Sequence, residues 1–223
     1  MDLLDFGLPP LGHYMPEAVY NAALARARRV RYAGGQAMHA RGDESPRLSI
    51  VSSGAVRVGR FQHGGSFNLL STLGPGAHFG DVGLHRKAST QSVYAIEDCE
   101  IAVLEVAALE DLLESQPGFV TGLWRCAMAR LETVLEIYDD ARTLPIVVRL
   151  AKVIYVHTGR GELANGVACL QRDLAELLSV SEVSIGNALK ALERNGLVEV
   201  GYRAIKVPNK HRLQSWLRKV GGS

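Results

Sequence analysis

The first half of the chain alternates short apolar runs with glycine and proline. Between about Val30 and Val106 a Gly or Pro recurs every few residues, and the runs between them are alternating or β-branched. Many short strands separated by turn residues are typical of a β-barrel or jelly roll. The predicted strands are Leu48–Val51, Ala55–Val58, Phe67–Leu70, Ser92–Ile96 and Glu100–Leu104, with a hairpin turn at His63–Ser66.

A helical period replaces this pattern between Gln116 and Arg142. Apolar residues there recur every three or four positions, which is the spacing of a coiled-coil seam. Such a stripe could pack on the chain's own barrel, but a long helix between two domains is typical of a dimer spine. The predicted dimer-contact residues are Leu123, Ala127, Leu131, Val134, Tyr138 and Ala141.

Pro145 ends this helix, because proline lacks a backbone donor and restricts the residue before it. A further helix is predicted from Ile146 to Val156, and it ends before the glycine-containing segment at Gly159 and Gly161.

Two short helices joined by a tight turn follow. Leu170–Leu178 is the first and Glu182–Asn195 the second, with Ser181 as N-cap and Gly196 after the last turn. This order predicts a helix-turn-helix, followed by a β-hairpin wing from Leu197 to Val207. The predicted buried positions of the helix pair are Leu174, Ala175, Leu178, Val180, Ile185, Ala188, Leu189 and Leu192.

The charge distribution supports a nucleic-acid partner for this region. The net charge is only +2, but the chain up to Arg142 has 13 Lys and Arg against 17 Asp and Glu, whereas the remainder has 12 against 6. A basic C-terminal third joined to a mildly acidic remainder favours a DNA-binding unit attached to a domain of another kind.

If the second helix enters a major groove, its first outward residues face base edges. Glu182 could then accept from a cytosine amino group, Val183 could contact a thymine methyl, and Asn187 could pair with adenine. Basic side chains further from the groove would meet phosphates. The predicted DNA-contact residues are Gln171, Arg172, Ser181, Glu182, Val183, Ser184, Asn187, Lys190, Arg203 and Lys206.

Composition excludes several other classes of protein. Hydrophobic residues make up 47% of the 223, which excludes disorder, and the 3 cysteines stand too far apart for a zinc site or an iron–sulfur cluster. No apolar run is long enough for a membrane span. Asp2 and Asp5 stand where a secretory signal would carry basic residues, which predicts a cytoplasmic protein. No nucleophile elbow, metal pair or phosphate loop is recognisable, so the chain is not predicted to be an enzyme.

The motifs together resemble those of the CRP/FNR family of bacterial transcription regulators. The residues that carry the resemblance are Ile50–Val58, Leu73–Leu84, Val93–Ala95 and Arg172–Lys190. The resemblance implies an α+β protein with an N-terminal jelly-roll β-barrel of the cyclic-nucleotide-binding type, a long dimerisation helix and a C-terminal winged helix-turn-helix. The corresponding segments are 1–115, 116–142 and 143–223.

The resemblance also implies partners. Family members are homodimers that bind near-palindromic double-stranded operators, and RNA polymerase would be a further partner if the chain activates transcription. In members of that family, a small molecule bound in the β-roll changes the placement of the two reading helices.

The effector motifs depart from those of the family's cyclic-nucleotide binders. Their Phe-Gly-Glu segment reads Phe79-Gly80-Asp81 here, and the arginine that holds the cyclic phosphate is replaced by Ser89. A hydroxyl cannot replace the charge-assisted fork of a guanidinium on phosphate. Apolar Val134 and Leu135 stand where the cyclic-AMP receptor presents hydroxyls to adenine. Cyclic AMP is therefore not predicted to be a strong effector.

The identity of any other effector stays open. The alternatives are an unidentified ligand, a cyclic dinucleotide contacted by Arg86 and Lys87, or no ligand, and a sensor acting only through protein partners is a further alternative. His78 could be a haem ligand, but a lone His in this context is more typical of a surface or turn position. The candidate ligand-binding residues are Gly80, Asp81, Val82, Arg86, Lys87, Ser89, Thr90 and Gln91.

Overall fold

The computed structural model describes residues 9–44, 47–61, 65, 67–86, 88–158, 167–168, 171–201 and 204–220. The chain divides into two compact units, and the division falls between Glu132 and Thr133, inside one long helix.

Two four-stranded antiparallel sheets form the framework of the N-terminal unit. One sheet has the strand order β1-β8-β3-β6 and the other β2-β7-β4-β5. The strands are β1 (Arg28–Tyr32), β2 (Ala37–His39), β3 (Arg47–Ser53), β4 (Val56–Phe61), β5 (Phe67–Leu73), β6 (His78–Phe79), β7 (Ser92–Ala95) and β8 (Cys99–Glu105).

The first sheet is covered on both faces. Residues such as Val51 and Ile101 pack between the sheets, while Leu48 and Leu104 pack against the helices of the same unit. Burial on both faces explains why β8 contains the continuous apolar run Ile101–Leu104 and why four successive residues of β3, Leu48–Val51, are buried. After a 3₁₀ turn at Leu11–Tyr14, the helices of this unit are α1 (Glu17–Arg26), α2 (Asp81–Arg86), α3 (Val106–Ser115) and the greater part of α4 (Pro117–Thr143).

A close helix contact places the start of α4 against the N-terminal segment. A Cβ on Gly122 would lie only 2.7 Å from Met15, so only glycine permits this approach. Phe119 and Cys126 of the same helix face are buried in the core. One face of α4 therefore packs against the core of the N-terminal unit.

The C-terminal unit is a helical core with a three-stranded antiparallel sheet of order β10-β11-β9. Its described core is formed by apolar residues of α5, α6, α7, the wing and α8. Its elements after α4 are α5 (Ile146–Thr158), β9 (Val167–Ala168), α6 (Gln171–Leu178), α7 (Glu182–Arg194), β10 (Glu199–Gly201), β11 (Ala204–Lys206) and α8 (Lys210–Val220).

The structure confirms the mixed α+β architecture that the pattern predicted. Each of the five predicted strands overlaps an observed one, and the long helix predicted from Gln116 to Arg142 and the helix-turn-helix are present. The hairpin turn at 63–66 lies outside the described residues except for Gly65. Four helices of the described residues were not predicted, namely α1, α2, α3 and α8.

Candidate nucleic-acid interface and sensor site

The turn between α6 and α7 is closed by backbone hydrogen bonds. Val180 N donates to Ala175 O at 3.0 Å, and Ser179 N donates to Glu176 O at 3.2 Å. Ser179 adopts a left-handed backbone conformation with φ 53°, a position that favours glycine. Ser181 Oγ then accepts from Ser184 N at 3.2 Å and caps α7, as predicted for this residue.

The first turns of α7 present a mixed polar and apolar surface. Val183 is 73% exposed, although it is apolar and lies beside a well-packed core. Glu182, Asn187 and Lys190 are also exposed. An exposed valine among polar side chains at a helix start can contact a thymine methyl group while its neighbours bond base edges. Ser184 is half-buried, and its hydroxyl lies 2.9 Å from Ser181 Oγ.

Three other predicted contact residues lie on α6 and on the wing. Gln171 and Arg172 are exposed at the start of α6, and Gln171 Oε1 lies beside Gly186 of α7. Lys206 is exposed on β11 of the wing. Arg203 lies outside the described residues.

The opposite end of α7 is held by two side chains that were not predicted. Glu193 Oε1 accepts from Val200 N of the wing at 3.0 Å, and Arg212 Nη2 of α8 donates to Asn195 O at 2.9 Å. A guanidinium at a helix C-terminus interacts favourably with the helix dipole. The signal for α8 was available in the spacing of Leu213, Trp216 and Leu217, which all pack on the core.

The candidate sensor site begins where β6 turns into α2. Gly80 has φ 95°, and a Cβ there would collide with Arg47 O, so the turn requires glycine. Asp81 follows as the first residue of α2, and Val82 is 51% exposed.

Asp81 is engaged by a side chain from a distant part of the unit. Arg130 Nη1 of α4 donates to Asp81 Oδ2 at 2.9 Å, and Arg130 Nη2 donates to His78 O at 2.7 Å. His78 Nε2 lies 3.4 Å from the same carboxylate oxygen. Burial alone would raise the pKa of Asp81, but the His78 hydrogen bond and the Arg130 charge lower it to about 2. The carboxylate is therefore ionised and already partnered.

His78 is buried, which corrects the expectation of a surface or turn residue. Burial, aided by the Arg130 charge, lowers its pKa below the ordinary value, so the ring is neutral at pH 7. With the proton on Nε2, His78 donates to Asp81 and accepts from Arg130 at Nδ1, 3.4 Å from Nη2. Both ring nitrogens thus have partners within the protein.

The segment that replaces the family's phosphate-binding motif is tied down through its backbone. Ser89 N donates to Asp43 O at 2.9 Å, and Ser89 O accepts from Gly42 N at 2.8 Å. Thr90 and Gln91 are half-buried. The Arg86 side chain and all of Lys87 lie outside the described residues.

Sequence reasoning missed Arg130 as a site residue. It lies 49 positions from Asp81 in the chain, and no local spacing connects the two. The available signal was its position on α4, one turn after Cys126 and two after Gly122, on the face that packs against its own unit. A cation within such a face must find a partner.

Most of the predicted dimer-contact residues lie on the exposed side of α4. Leu123 is half-buried against the N-terminal core, whereas Ala127, Val134 and Ala141 are exposed. Among the large exposed apolar residues of α4, five recur at alternating spacings of four and three, opposite the buried face. They are Trp124, Met128, Leu131, Leu135 and Tyr138, and we call them the α4 seam.

Metal ions and membranes concern other kinds of site. Within the described residues, no group of three or more His, Cys, Asp or Glu could hold a metal ion. Nor is any helix in that part of the chain long and apolar enough to cross a membrane.

Comparison with protein families matches both units of the chain. Residues 29–116 match the cyclic nucleotide-binding domain, and residues 148–216 match the Crp-like helix-turn-helix domain. The matches together include β6, α2 and the whole of the α6–turn–α7 segment.

Individual relatives match over most of their length. The chain is 29% identical over 204 residues to the cyclic AMP receptor protein of Thermus thermophilus, covering 89% of this chain and 92% of the relative. It is 25% identical to the CRP-like cAMP-activated global transcriptional regulator of Mycobacterium tuberculosis, covering 82% and 85%.

A solved structure shares the fold. The c-di-GMP responsive global regulator CLP of Xanthomonas campestris superposes with a TM-score of 0.72 and 19% identity, covering 86% of this chain and 99% of that one. The cyclic-nucleotide-binding-like and helix-turn-helix parts of the predicted fold are thereby confirmed.

Proposed function

The chain belongs to the CRP/FNR family of DNA-binding transcription regulators, and we propose that it acts as a homodimer that reads a near-palindromic operator with α7. Transcription factors of this kind act on DNA in the cytoplasm. RNA polymerase is a further partner if the protein activates transcription.

The observation that carries the proposal is the exposed first half of α7. Val183, Glu182 and Asn187 project from a helix whose other face is packed into the core. In a helix-turn-helix the second helix enters the major groove and its N-terminal side chains meet base edges. Arg172, Lys190 and the wing cations Arg203 and Lys206 would then bind phosphates, which makes the affinity strongly dependent on salt.

The α4 seam supports a dimer. Its residues repeat with the spacing of a coiled coil, and leaving Trp124, Leu135 and Tyr138 in water is unfavourable. A second copy covers the seam with the same face of its own helix, because a two-fold interface is self-complementary. The set proposed for the interface is the seam together with Ala127, Val134 and Ala141, and Leu123 is left to the N-terminal core.

We divide the chain functionally into a β-roll sensor at 1–115, a dimer helix at 116–142 and a DNA-binding domain at 143–223. Two α7 helices related by the dimer axis would enter successive major grooves roughly 34 Å apart, so the operator has two inverted half-sites.

The effector of this regulator differs from cyclic AMP in our proposal. Two of the relatives are named for cyclic AMP. In this chain, however, Asp81 is bound by Arg130 and His78, and Ser89 offers no guanidinium to a cyclic phosphate. A buried phosphate without a cation is costly. A cyclic dinucleotide bound through Arg86 and Lys87, another small molecule, or constitutive activity remain the alternatives.

Selection of operators from random duplex DNA tests the function. The selection is run with and without cyclic AMP and a panel of cyclic dinucleotides, and sedimentation gives the number of chains per duplex. We expect an inverted repeat, two chains per duplex, and no effect of cyclic AMP. Recovery of no common sequence would favour a sensor that acts through protein partners.

The Asn187→Ala variant tests the assignment of the reading helix. We expect it to lose preference at one position of each half-site, at a cost of ~1–3 kcal/mol, because a bidentate contact to adenine is removed. Ser215→Ala, an exposed position on α8, is the matched control. Unchanged affinity and base preference for Asn187→Ala would remove this residue from the reading set.

A further inference from the structure

Lys152 of α5 is shared by two carboxylates of α4. Its Nζ lies 2.7 Å from Glu136 Oε1 and 2.6 Å from Asp140 Oδ2. The two acids are four residues apart, so they lie on one face of the helix and their charges repel each other without a cation between them. Lys152 therefore joins the end of α4 to the first helix of the DNA-binding domain.

We call Lys152, Glu136 and Asp140 together the fork. Its environment distinguishes it from an ordinary surface ion pair. Asp140 is 18% exposed and the Lys152 side chain 33%. Burial opposes the charged form of Lys152, but its hydrogen bonds to Asp140 and Glu136 outweigh burial and raise its pKa above the ordinary value. Three charges in a network are held more firmly than the isolated exposed pairs that contribute little to stability.

The position of the fork explains where the compact units divide. The last turns of α4, from Thr133, belong to the same unit as α5, α6 and α7. Pro145 separates α4 from α5, and its lack of a backbone donor interrupts the regular helical hydrogen bonds at the joint. The fork spans this joint, because both acids precede Pro145 and Lys152 follows it.

On its other side α5 is fixed to the helix-turn-helix. Arg149 Nη2 donates to Leu178 O, the last residue of α6, at 2.9 Å. Leu150 and Ile154 of α5 are fully buried in the core that also contains Leu189 of α7. The orientation of α5 therefore determines that of the reading helix.

We propose that Lys152 is a positioning residue for operator binding: by fixing the end of the dimer helix to α5, it sets the separation of the two reading helices in the dimer. The inference rests on the proposed dimeric function. The fork contributes nothing to the reading surface of a single α7. Its loss should therefore weaken binding only where two half-sites are bound at once.

The test compares a full operator with a single half-site. Lys152→Met removes the charge and keeps most of the side-chain volume, whereas Lys152→Arg keeps the charge. We expect Lys152→Met to bind the full operator about tenfold more weakly than the wild type and the half-site equally well. We also expect one base pair inserted between the half-sites to weaken binding of Lys152→Met less than binding of the wild type. Lys152→Arg should remain within about threefold of the wild type on both.

A second set of variants removes the acids instead. The double variant Glu136→Gln and Asp140→Asn should weaken full-operator binding as Lys152→Met does, and adding Lys152→Met to it should cost nothing further, because one network is lost in both cases. Asp139→Asn removes one charge from the same exposed segment and is the matched control.

The results on the two DNAs distinguish a failure of the Lys152 proposal from a failure of the proposed dimeric function. Equal weakening of Lys152→Met on both DNAs would assign Lys152 to domain stability, and no weakening on either would remove its role altogether. If the wild type binds the full operator no more tightly than the half-site, the proposed dimeric function fails, and the inference fails with it.

Discussion

The N-terminal unit buries polar side chains among its core residues, whereas the described core of the C-terminal unit consists of Leu, Ile, Val and Ala alone. An interior with titratable and hydrogen-bonding groups can change its interactions when a ligand or a proton arrives. An apolar interior has no such groups to change their interactions, so it holds α7 in one conformation. The buried polar residues among those described are His39, Ser49, Thr72, His78 and Ser92.

Leu174→Ala should produce the largest effect and act on the C-terminal unit alone. Leu174 is fully buried, so the cavity should cost that unit ~2–5 kcal/mol of unfolding free energy and abolish operator binding. Denaturant unfolding followed by Trp216 fluorescence in a Trp124→Phe background measures it, because Trp216 packs on the same core. Val183→Ala on exposed α7 is the control, with a cost below ~0.5 kcal/mol. An equal loss of unfolding free energy in both variants would contradict the conclusion that the apolar core stabilises the C-terminal unit.

Arg130→Met should destabilise the N-terminal unit by ~1–3 kcal/mol, because Asp81 and the His78 carbonyl both lose a donor. The pKa of Asp81 should also rise. Circular dichroism during denaturant unfolding gives the stability, and NMR titration of the carboxylate gives the pKa. Arg125→Met, exposed on the same helix, should leave both quantities unchanged. An unaltered Asp81 titration in Arg130→Met would exclude the described ion pair.

Acid should destabilise the two units differently. Burial, with the Arg47 charge, lowers the pKa of His39 to about 4, so the unfolded chain binds a proton first as the pH falls below 6.5. The N-terminal unit should lose up to ~1.4 kcal/mol per pH unit through this residue between pH 6.5 and about 4, and nothing above that window.

The difference between wild type and His39→Gln in pH-dependent denaturant unfolding measures this slope. His211→Gln, exposed on α8 of the other unit, is the control and should retain the full loss. A wild-type slope that persists in His39→Gln would mean that other groups account for the acid sensitivity.

Regular periodicity explains which parts of the fold were predictable. The strands, α4 and the helix-turn-helix each repeat a local pattern, and Ser181 is a capping residue that local sequence identifies. By contrast, α8 was not predicted, although Asn209 precedes it and caps its start, with Asn209 Oδ1 accepting from Arg212 N at 2.9 Å. Its existence depends on Leu213 and Trp216 finding a core formed by other helices.

Long-range contacts explain what could not be predicted about the sites. Nothing near Asp81 in the chain indicates Arg130, and nothing near Lys152 indicates Glu136 as a partner. The exposure of individual α4 residues depends on long-range contacts in the same way. Leu123 and Trp124 are both apolar, and only the position of the N-terminal core decides that the first is covered and the second is exposed.

The two ends of α7 have separate tasks. Glu193 and the Asn195 carbonyl anchor one end to the wing and to Arg212, while Val183 and Asn187 stand free at the other. Base specificity can therefore be rewritten at the free end without disturbing the anchors. Substitutions in the first turns of α7 can therefore change the operator sequence, in evolution or in engineering, while the contacts that hold the helix in its domain stay the same.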